Sequence, residues 1–377
     1  MLTCGLMATA LIAAASEQAL PDRQAALGRL LFFDPTLSEP IGQACASCHD
    51  PATAFADPDT TKPTSKGVHR ERFGNRNTPS AMYMAFSPPF HFDKTEEHYV
   101  GGQFWDGRAA TLEEQAKGPF VNPLEMANPN QRAVVEKVRR TAYATQFDDI
   151  YGPGALAAVE PAFERIAAAI AAYERTAELA PFSSKYDAFL QGRARLAPQE
   201  LRGLQLFNDE KKGNCAACHP NQRQPNGDLP LFTDFTYDNI GVPRNPDNPF
   251  YRQSKTHNPQ GRKFVDKGLG GFVKQRAEDG KFKVPTLRNI ALTAPYMHNG
   301  YFKTLRGTVA FYNDRDVRPA CKGGDLSEAG ALRRGCWPRP EIVRNLNKDE
   351  MGRLGLTNQE IDDIVAFMLT LTDGYAP

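Results

Sequence analysis

Residues 45–49 read Cys-Ala-Ser-Cys-His, and residues 215–219 read Cys-Ala-Ala-Cys-His. Two thiols in C-x-x-C spacing, followed at once by an imidazole, are the arrangement at which c-type haem is attached. The thiols add to the vinyl groups and the histidine turns back to ligate iron. With seven cysteines and seven histidines in the chain, about 0.002 such matches are expected by chance. A zinc site would usually pair the two motifs as ligand sets, and a thioredoxin-like dithiol would need a βαβ context. Neither explains a histidine at the same place twice. Two haem c groups are therefore expected, one on Cys45, Cys48 and His49, the other on Cys215, Cys218 and His219.

Haem c is attached outside the cytosol, and the first residues agree. Met1 to Ala15 (MLTCGLMATALIAAA) is apolar, small and too short to span a bilayer, as in a signal peptide. It lacks a positive n-region, so a start further upstream is expected. Cys4 stands too early for a full signal sequence before a lipidation site, and it is expected to leave with segment 1–16. No later stretch is apolar and long enough for a membrane span. The expected location is the periplasm. With 45 basic and 44 acidic residues, bulk charge favours neither nucleic acid nor an anionic membrane.

Each motif follows an apolar helical pattern, Leu27-Gly-Arg-Leu-Leu-Phe-Phe-Asp34 and Glu200-Leu-Arg-Gly-Leu-Gln-Leu-Phe207. This near-repeat predicts a mainly α fold of two cytochrome c-like domains, each with one covalent haem c, and long loops. The domains are expected at 17–185 and 190–377, joined through 180–198. Helices are predicted at 130–148, 162–178 and 357–372, the last with a Thr357 to Glu360 capping box. Cys321 and Cys336 lie in a Gly- and Arg-rich insert, where an oxidising compartment favours a disulfide.

A haem that only carries electrons has both axial positions filled, whereas one that meets peroxide needs an open distal side and a group to move the proton. Candidate groups lie in Gln103-Phe-Trp-Asp-Gly-Arg108, Gln115-Ala-Lys-Gly-Pro119, Asn122-Pro-Leu-Glu-Met126 and 286–300, PTLRNIALTAPYMHNG without its first residue, followed by Phe311-Tyr312-Asn313. Together with the haem motifs, FTD and NIGVP at 232–243 and DKGLGG, these resemble the bacterial dihaem cytochrome c peroxidase superfamily over the whole mature chain. The similarity is greatest to its MauG-like branch, the MbnH type included.

The resemblance implies a set of roles. His49 is the proximal ligand of a peroxidatic haem, Glu125 its distal acid/base, and Gln115 and Pro119 shape that pocket. Trp105 relays electrons between the haems, and His219 with Tyr312 ligates the second iron. Tyr312 stands where electron-transferring peroxidases carry Met; a hard phenolate favours oxidised iron and brings Fe(IV) within reach at both haems. Met297, the competing ligand, is read as core packing. Asn77, Thr293 and Pro295 match a calcium site between the haems. His69 lies where reductively activated relatives carry a displaceable distal His, although a lone loop His is more often solvated.

The function implied is hydrogen-peroxide-dependent oxidation of Trp or Tyr in a periplasmic partner protein. The alternatives are a peroxidase drawing on a small cytochrome or cupredoxin donor, and a non-catalytic dihaem shuttle. One departure bears on the partner. The MauG-type enzyme that matures methylamine dehydrogenase reaches its substrate through a surface Trp just before the second haem motif, and 208–214 here read NDEKKGN. Trp337 is open to two readings, an exit for the radical or a structural aromatic.

Overall fold

The computed structural model describes residues 19–223 and 226–376, so the signal-like segment 1–16 lies outside the described residues. Helices α1 (Leu20–Phe32), α2 (Leu112–Val121), α3 (Gln131–Val138), α4 (Thr145–Tyr151) and α5 (Val159–Glu174) precede the expected junction, and α6 (Lys185–Leu190) lies within it. Helices α7 (Pro198–Asn208), α8 (Leu269–Val273), α9 (Leu305–Asp314), α10 (Glu328–Arg334) and α11 (Asn358–Leu369) follow. Two short antiparallel pairs complete the regular structure, β1 (His91–Asp93) with β2 (His98–Val100) and β3 (Tyr237–Asp238) with β4 (Phe282–Lys283). The fold is mainly helical. Among the described residues no helix is long and apolar enough to cross a membrane.

The near-repeat read from the sequence becomes a repeated helix crossing. A Cβ at Gly28 of α1 would lie 1.8 Å from the Ala169 carbonyl oxygen of α5, and one at Gly203 of α7 would lie 1.9 Å from that of Asp363 of α11. Only glycine lets the backbones approach so closely. Each crossing then seals an aromatic: Phe32 is buried beside Tyr173 at 5.3 Å, and Phe207 beside Phe367 at 5.2 Å between ring centroids. Alanine gains about 1 kcal/mol of helix propensity over glycine, but here it must push two helices apart. Gly28→Ala and Gly203→Ala are each expected to destabilise by about 3 kcal/mol, the upper end for overpacking. Thermal unfolding followed by circular dichroism checks this, and an unchanged midpoint would refute the crossing.

The helix predicted over 130–148 is instead two, α3 and α4. Thr141 turns its hydroxyl back on the Val138 carbonyl at 2.8 Å, and Arg139 reaches across to the Leu156 carbonyl at 2.9 Å. Hydroxyl competition for backbone groups ends a helix in this way, and the turn lets Phe147 enter the core. The 162–178 helix runs from Val159 to Glu174, and α11 begins at its Thr357–Glu360 capping box. Cys321 and Cys336 are bonded, with their Cα atoms 5.1 Å apart.

One apolar core gathers Leu27, Phe163, Ile166 and their neighbours, and another gathers Phe302, Phe311, Ile364 and theirs. A polar knot forms at the expected junction, with Arg288 against Tyr83 of the first core and Phe232 of a third apolar cluster. Arg288 donates to Asp187 of α6 through both terminal nitrogens, at 2.9 and 2.8 Å, with both side chains fully buried. The Asp373 carboxylate accepts from the Tyr83 hydroxyl at 2.7 Å, the Ser183 amide at 2.8 Å and Asn289 Nδ2 at 2.7 Å.

Candidate functional site

A single turn follows the first cysteine of each haem motif. The His49 and His219 amides donate to the carbonyls of Cys45 and Cys215, each at 2.9 Å. His49 Nδ1 donates to the Phe55 carbonyl at 2.9 Å, and His219 Nδ1 to the Phe232 carbonyl at 2.8 Å. A carbonyl only accepts, so Nδ1 carries the hydrogen and the Nε2 lone pair is left for a metal. Both acceptors, Phe55 and Phe232, sit at a left-handed φ of 55°. Such strain in a bulky residue marks positions that the surroundings over-determine, and it occurs at the same place in both motifs. Neither phenylalanine stood out in the sequence. Burial lowers both imidazole pKa values, which keeps the rings in the neutral, ligating form.

The four motif thiols are unbridged. Burial pushes Cys45, Cys48 and Cys215 up to about 12, and Cys218 upward as well. A redox dithiol works through a depressed thiol pKa, and burial shifts these thiols the other way. Zinc fares no better: among the described residues no three His, Cys, Asp or Glu side chains cluster to hold a metal.

The second motif opens on a large cavity, about 2030 Å³ including the space open at its mouth. Cys215, Cys218 and His219 border it, α9 brings Tyr312 to it, and Leu305, Val309, Ile364 and Met368 supply apolar wall. Burial raises the Tyr312 phenol pKa well above its ordinary value, so a phenolate here needs a cation beside it. Met297, half-buried, borders the same cavity and packs against the second core. His298 also borders it, stacked on Phe282 with centroids 3.5 Å apart, and its buried Nε2 has no protein partner. An apolar chamber with two thiols, one imidazole, one phenol and an unpartnered polar nitrogen fits a haem with its polar edge.

A smaller cavity of about 580 Å³, mouth included, is bordered by Phe104, Arg108, Pro119, Asn122 and Glu125. Pro119 is in α2; Gln115 lies one turn earlier on the same face and does not border the cavity. The Asn122 side chain makes a local turn, accepting from the Leu124 amide at 3.0 Å and donating to Glu125 Oε1 at 2.8 Å. Burial raises the Glu125 pKa, against the nearby charge of Arg108 and the Asn122 hydrogen bond. Glu125 in turn contributes to the upward shifts of Cys45 and Cys48. The loop carrying His69 is docked here, its Val68 amide donating to the Glu125 carbonyl at 2.9 Å, yet half-buried His69 borders neither cavity.

Phe104 borders both cavities, with φ at 63°, and Arg108 stacks over its ring at 3.6 Å. Trp105 follows and borders the larger cavity, its Nε1 donating to the Asn77 carbonyl at 2.8 Å. Asn77, Thr293 and Pro295 border that cavity too; Asn77 donates through Nδ2 to Pro63, which leaves Oδ1 for a cation. Beside them Arg76 grips Asp266 through two bonds of 2.7 Å and Asp106 at 2.8 Å. Burial would raise the Asp266 carboxyl, but the Arg76 charge and hydrogen bonds hold it down at about 2. In the sequence, adjacency to Trp105 is the only signal that marks Phe104, Asp106 and Arg108. Trp337 is buried, 2% exposed, so it is no surface exit in itself.

Residues 22–195 match the family model described as di-haem cytochrome c peroxidase. The chain is 43% identical to the methylamine utilization protein MauG of Paracoccus denitrificans over 371 residues, 96% of this chain and 92% of that one. It belongs to the di-haem cytochrome c peroxidase family. Within that family it falls in the MauG-like branch. The family's cytochrome c551 peroxidase from Nitrosomonas europaea is 32% identical over 92% of this chain and 79% of its own. The crystal structure of the diheme peroxidase BthA from Burkholderia thailandensis superposes with a TM-score of 0.80 at 38% identity, covering 93% of this chain and 86% of BthA. A MauG-like protein associated with microbial copper homeostasis superposes with a TM-score of 0.68 at 28% identity, covering 94% and 90%. As a member of this family the chain is a peroxide-dependent two-haem oxidoreductase.

Proposed function

We propose that this protein uses hydrogen peroxide to oxidise aromatic residues, Trp or Tyr, of a periplasmic partner protein after its own export. The observation that carries the reading is Tyr312, a phenol at the cavity of the second motif beside Cys215, Cys218 and His219. Cys45, Cys48 and His49 would hold one haem, and Cys215, Cys218, His219 and Tyr312 the other, in units spanning 17–185 and 190–377. The bound haems would supply the redox chemistry that accepts the two oxidising equivalents of peroxide, up to the Fe(IV) level. Glu125 takes the proton that peroxide releases and returns it to the departing oxygen, while Asn122 holds the carboxylate in place. Pro119 shapes the approach from α2, with Gln115 one turn behind it and outside the lining. Trp105, fixed by its bond to Asn77, carries electrons between the two centres. Asn77, Thr293 and Pro295 offer hard oxygen donors suited to calcium, which would stiffen this segment.

The second reading, peroxide reduction with electrons from a small cytochrome or cupredoxin, draws on the cytochrome c551 peroxidase relative. Stoichiometric peroxide added to the diferric protein, with freeze-quench Mössbauer spectroscopy, separates the two. Both irons reaching and keeping the higher oxidation level supports the proposal. No reaction until one haem is reduced would mean that His69 or another ligand closes the site, and the second reading would replace the first. Tyr312→Phe is expected to retain both covalent haems yet lose the persistent two-iron state, because the hard anion that favours oxidised iron is gone. An unchanged high-valent spectrum in that variant would refute the Tyr312 assignment.

A further inference from the structure

Trp105 and Trp337 are the two tryptophans of the chain, and their electrostatic settings differ. Trp105 donates to a neutral carbonyl, and the cations Arg76 and Arg108 pair with the adjacent Asp106. Lys283 donates its amide to the Trp105 carbonyl at 2.9 Å and its side-chain nitrogen to the Gly102 carbonyl, with burial bringing the Lys283 pKa down to about 7. Trp337 instead donates Nε1–H to the Asp314 carboxylate at 2.7 Å. A charge-assisted bond of this kind strengthens as the indole loses an electron and its N–H grows more acidic, so it favours oxidation of the ring. The opposing cation is Arg318, 5.4 Å from the indole centroid and bonded to the other Asp314 oxygen at 2.6 Å. Its side chain is 27% exposed against 17% for Asp314, so solvent screens the cation more than the anion.

The position of Trp337 suits electron transfer. Its ring meets Phe311 edge-on, with centroids 5.2 Å apart, and Phe311 directly precedes Tyr312 in α9. Its backbone is part of the disulfide loop: Trp337 follows Cys336, and the Cys321 amide donates to the Trp337 carbonyl at 2.9 Å. The stretch before the second haem motif, 208–214, contains no aromatic residue that could serve instead.

We propose that Trp337 is a redox-active station between the second haem site and the protein surface at the disulfide loop. The inference rests on the function proposed above. One electron passes from the Trp337 indole to the peroxide-oxidised second site, and the Nε1 proton stays in its bond to Asp314. An electron from an aromatic residue of the partner protein then restores the indole.

The test uses the haem-loaded protein carrying ring-deuterated tryptophan, mixed with stoichiometric hydrogen peroxide and no protein donor. Freeze-quench EPR and Mössbauer spectra are taken, and the protein is digested for mass spectrometry after repeated peroxide additions. The expected result is a radical that grows in only as the long-lived two-iron state slowly decays, narrowed by the deuterium label, with oxygen added at Trp337, which solution peroxide reaches poorly at 2% exposure. Trp337→Phe should abolish both signals and keep the two-iron Mössbauer signature. Asp314→Asn keeps the ring and the hydrogen bond but removes the charge, and should lower the radical yield roughly tenfold; it carries the test alone if Trp337→Phe does not load haem. A two-iron state without radical or oxidation at Trp337, or a radical that survives Trp337→Phe, overturns the inference and leaves the proposed function standing. No two-iron state in the unaltered protein overturns both.

Discussion

Glu125→Gln is expected to slow the reaction with hydrogen peroxide roughly a thousandfold, within the range that a positioned general acid/base contributes. The substitution keeps the size of the side chain and an oxygen that can accept from Asn122 Nδ2. It removes only the ability to take and return a proton. The pH profile gives a second, independent readout. Burial lifts the Glu125 carboxyl above its ordinary range, and Arg108 and Asn122 only partly oppose it. Peroxide must be deprotonated to bind productively, so the active form is the carboxylate. The rate should therefore fall as pH drops through this raised pKa and level off above it, and the acid limb should vanish in Glu125→Gln. Stopped-flow absorbance at the haem bands measures both effects. A slowing of less than about tenfold, with the acid limb retained, would remove Glu125 from the role of base.

Asp187→Ala is expected to cost about 3–5 kcal/mol of stability, the usual penalty for breaking a buried ion pair from one side. Arg288 would be left fully buried with no carboxylate. The faces of Tyr83 and Phe182, 4.8 and 4.5 Å from its guanidinium carbon, would remain but are already present beside the pair, so they do not reduce the loss. Replacing both partners by apolar residues, as in Asp187→Leu with Arg288→Met, should restore much of the loss, because no charge then remains stranded. Burial alone would raise the Asp187 pKa, but the hydrogen bonds and charge of Arg288 hold it below the ordinary carboxylate value. A depressed folded-state pKa contributes stability that is complete above the unfolded value of about 4 and is lost as pH falls through the folded one. Urea unfolding at neutral and acid pH tests this: Asp187→Ala should lose most at neutral pH and least below the folded pKa. Equal losses at both would show that the pair does not stay ionised in the fold.

The knot around Asp187 and Asp373 also shows why the junction could be marked in the sequence but not understood from it. Segment 180–198 stood out only as the stretch between two patterned halves. Its role depends on Tyr83, Arg288, Asn289 and Asp373, which come from both sides of it. The same holds for Phe104. Its neighbour Trp105 was conspicuous by residue type, but that Phe104 stands between two cavities follows from a left-handed backbone and from Arg108 folding over its ring. Glu125 and Pro119 were found through their motifs, and the structure brings them to one small cavity while leaving Gln115 outside its lining.

By itself the sequence determined the covalent chemistry and the local periods. Cysteine spacing, the histidine that follows it, the glycine-bearing apolar helices before each motif and the Thr357–Glu360 box all act within a few residues, where chain connectivity already sets the distances. Tertiary structure alone decided where the helix at 139–144 breaks, which carbonyls orient His49 and His219, and which buried charges find partners. It also decided that Trp337 donates to Asp314 while Trp105 donates to a carbonyl. These are contacts between groups far apart in the chain, and their energies turn on burial and on separations of a few ångströms, which residue spacing does not encode.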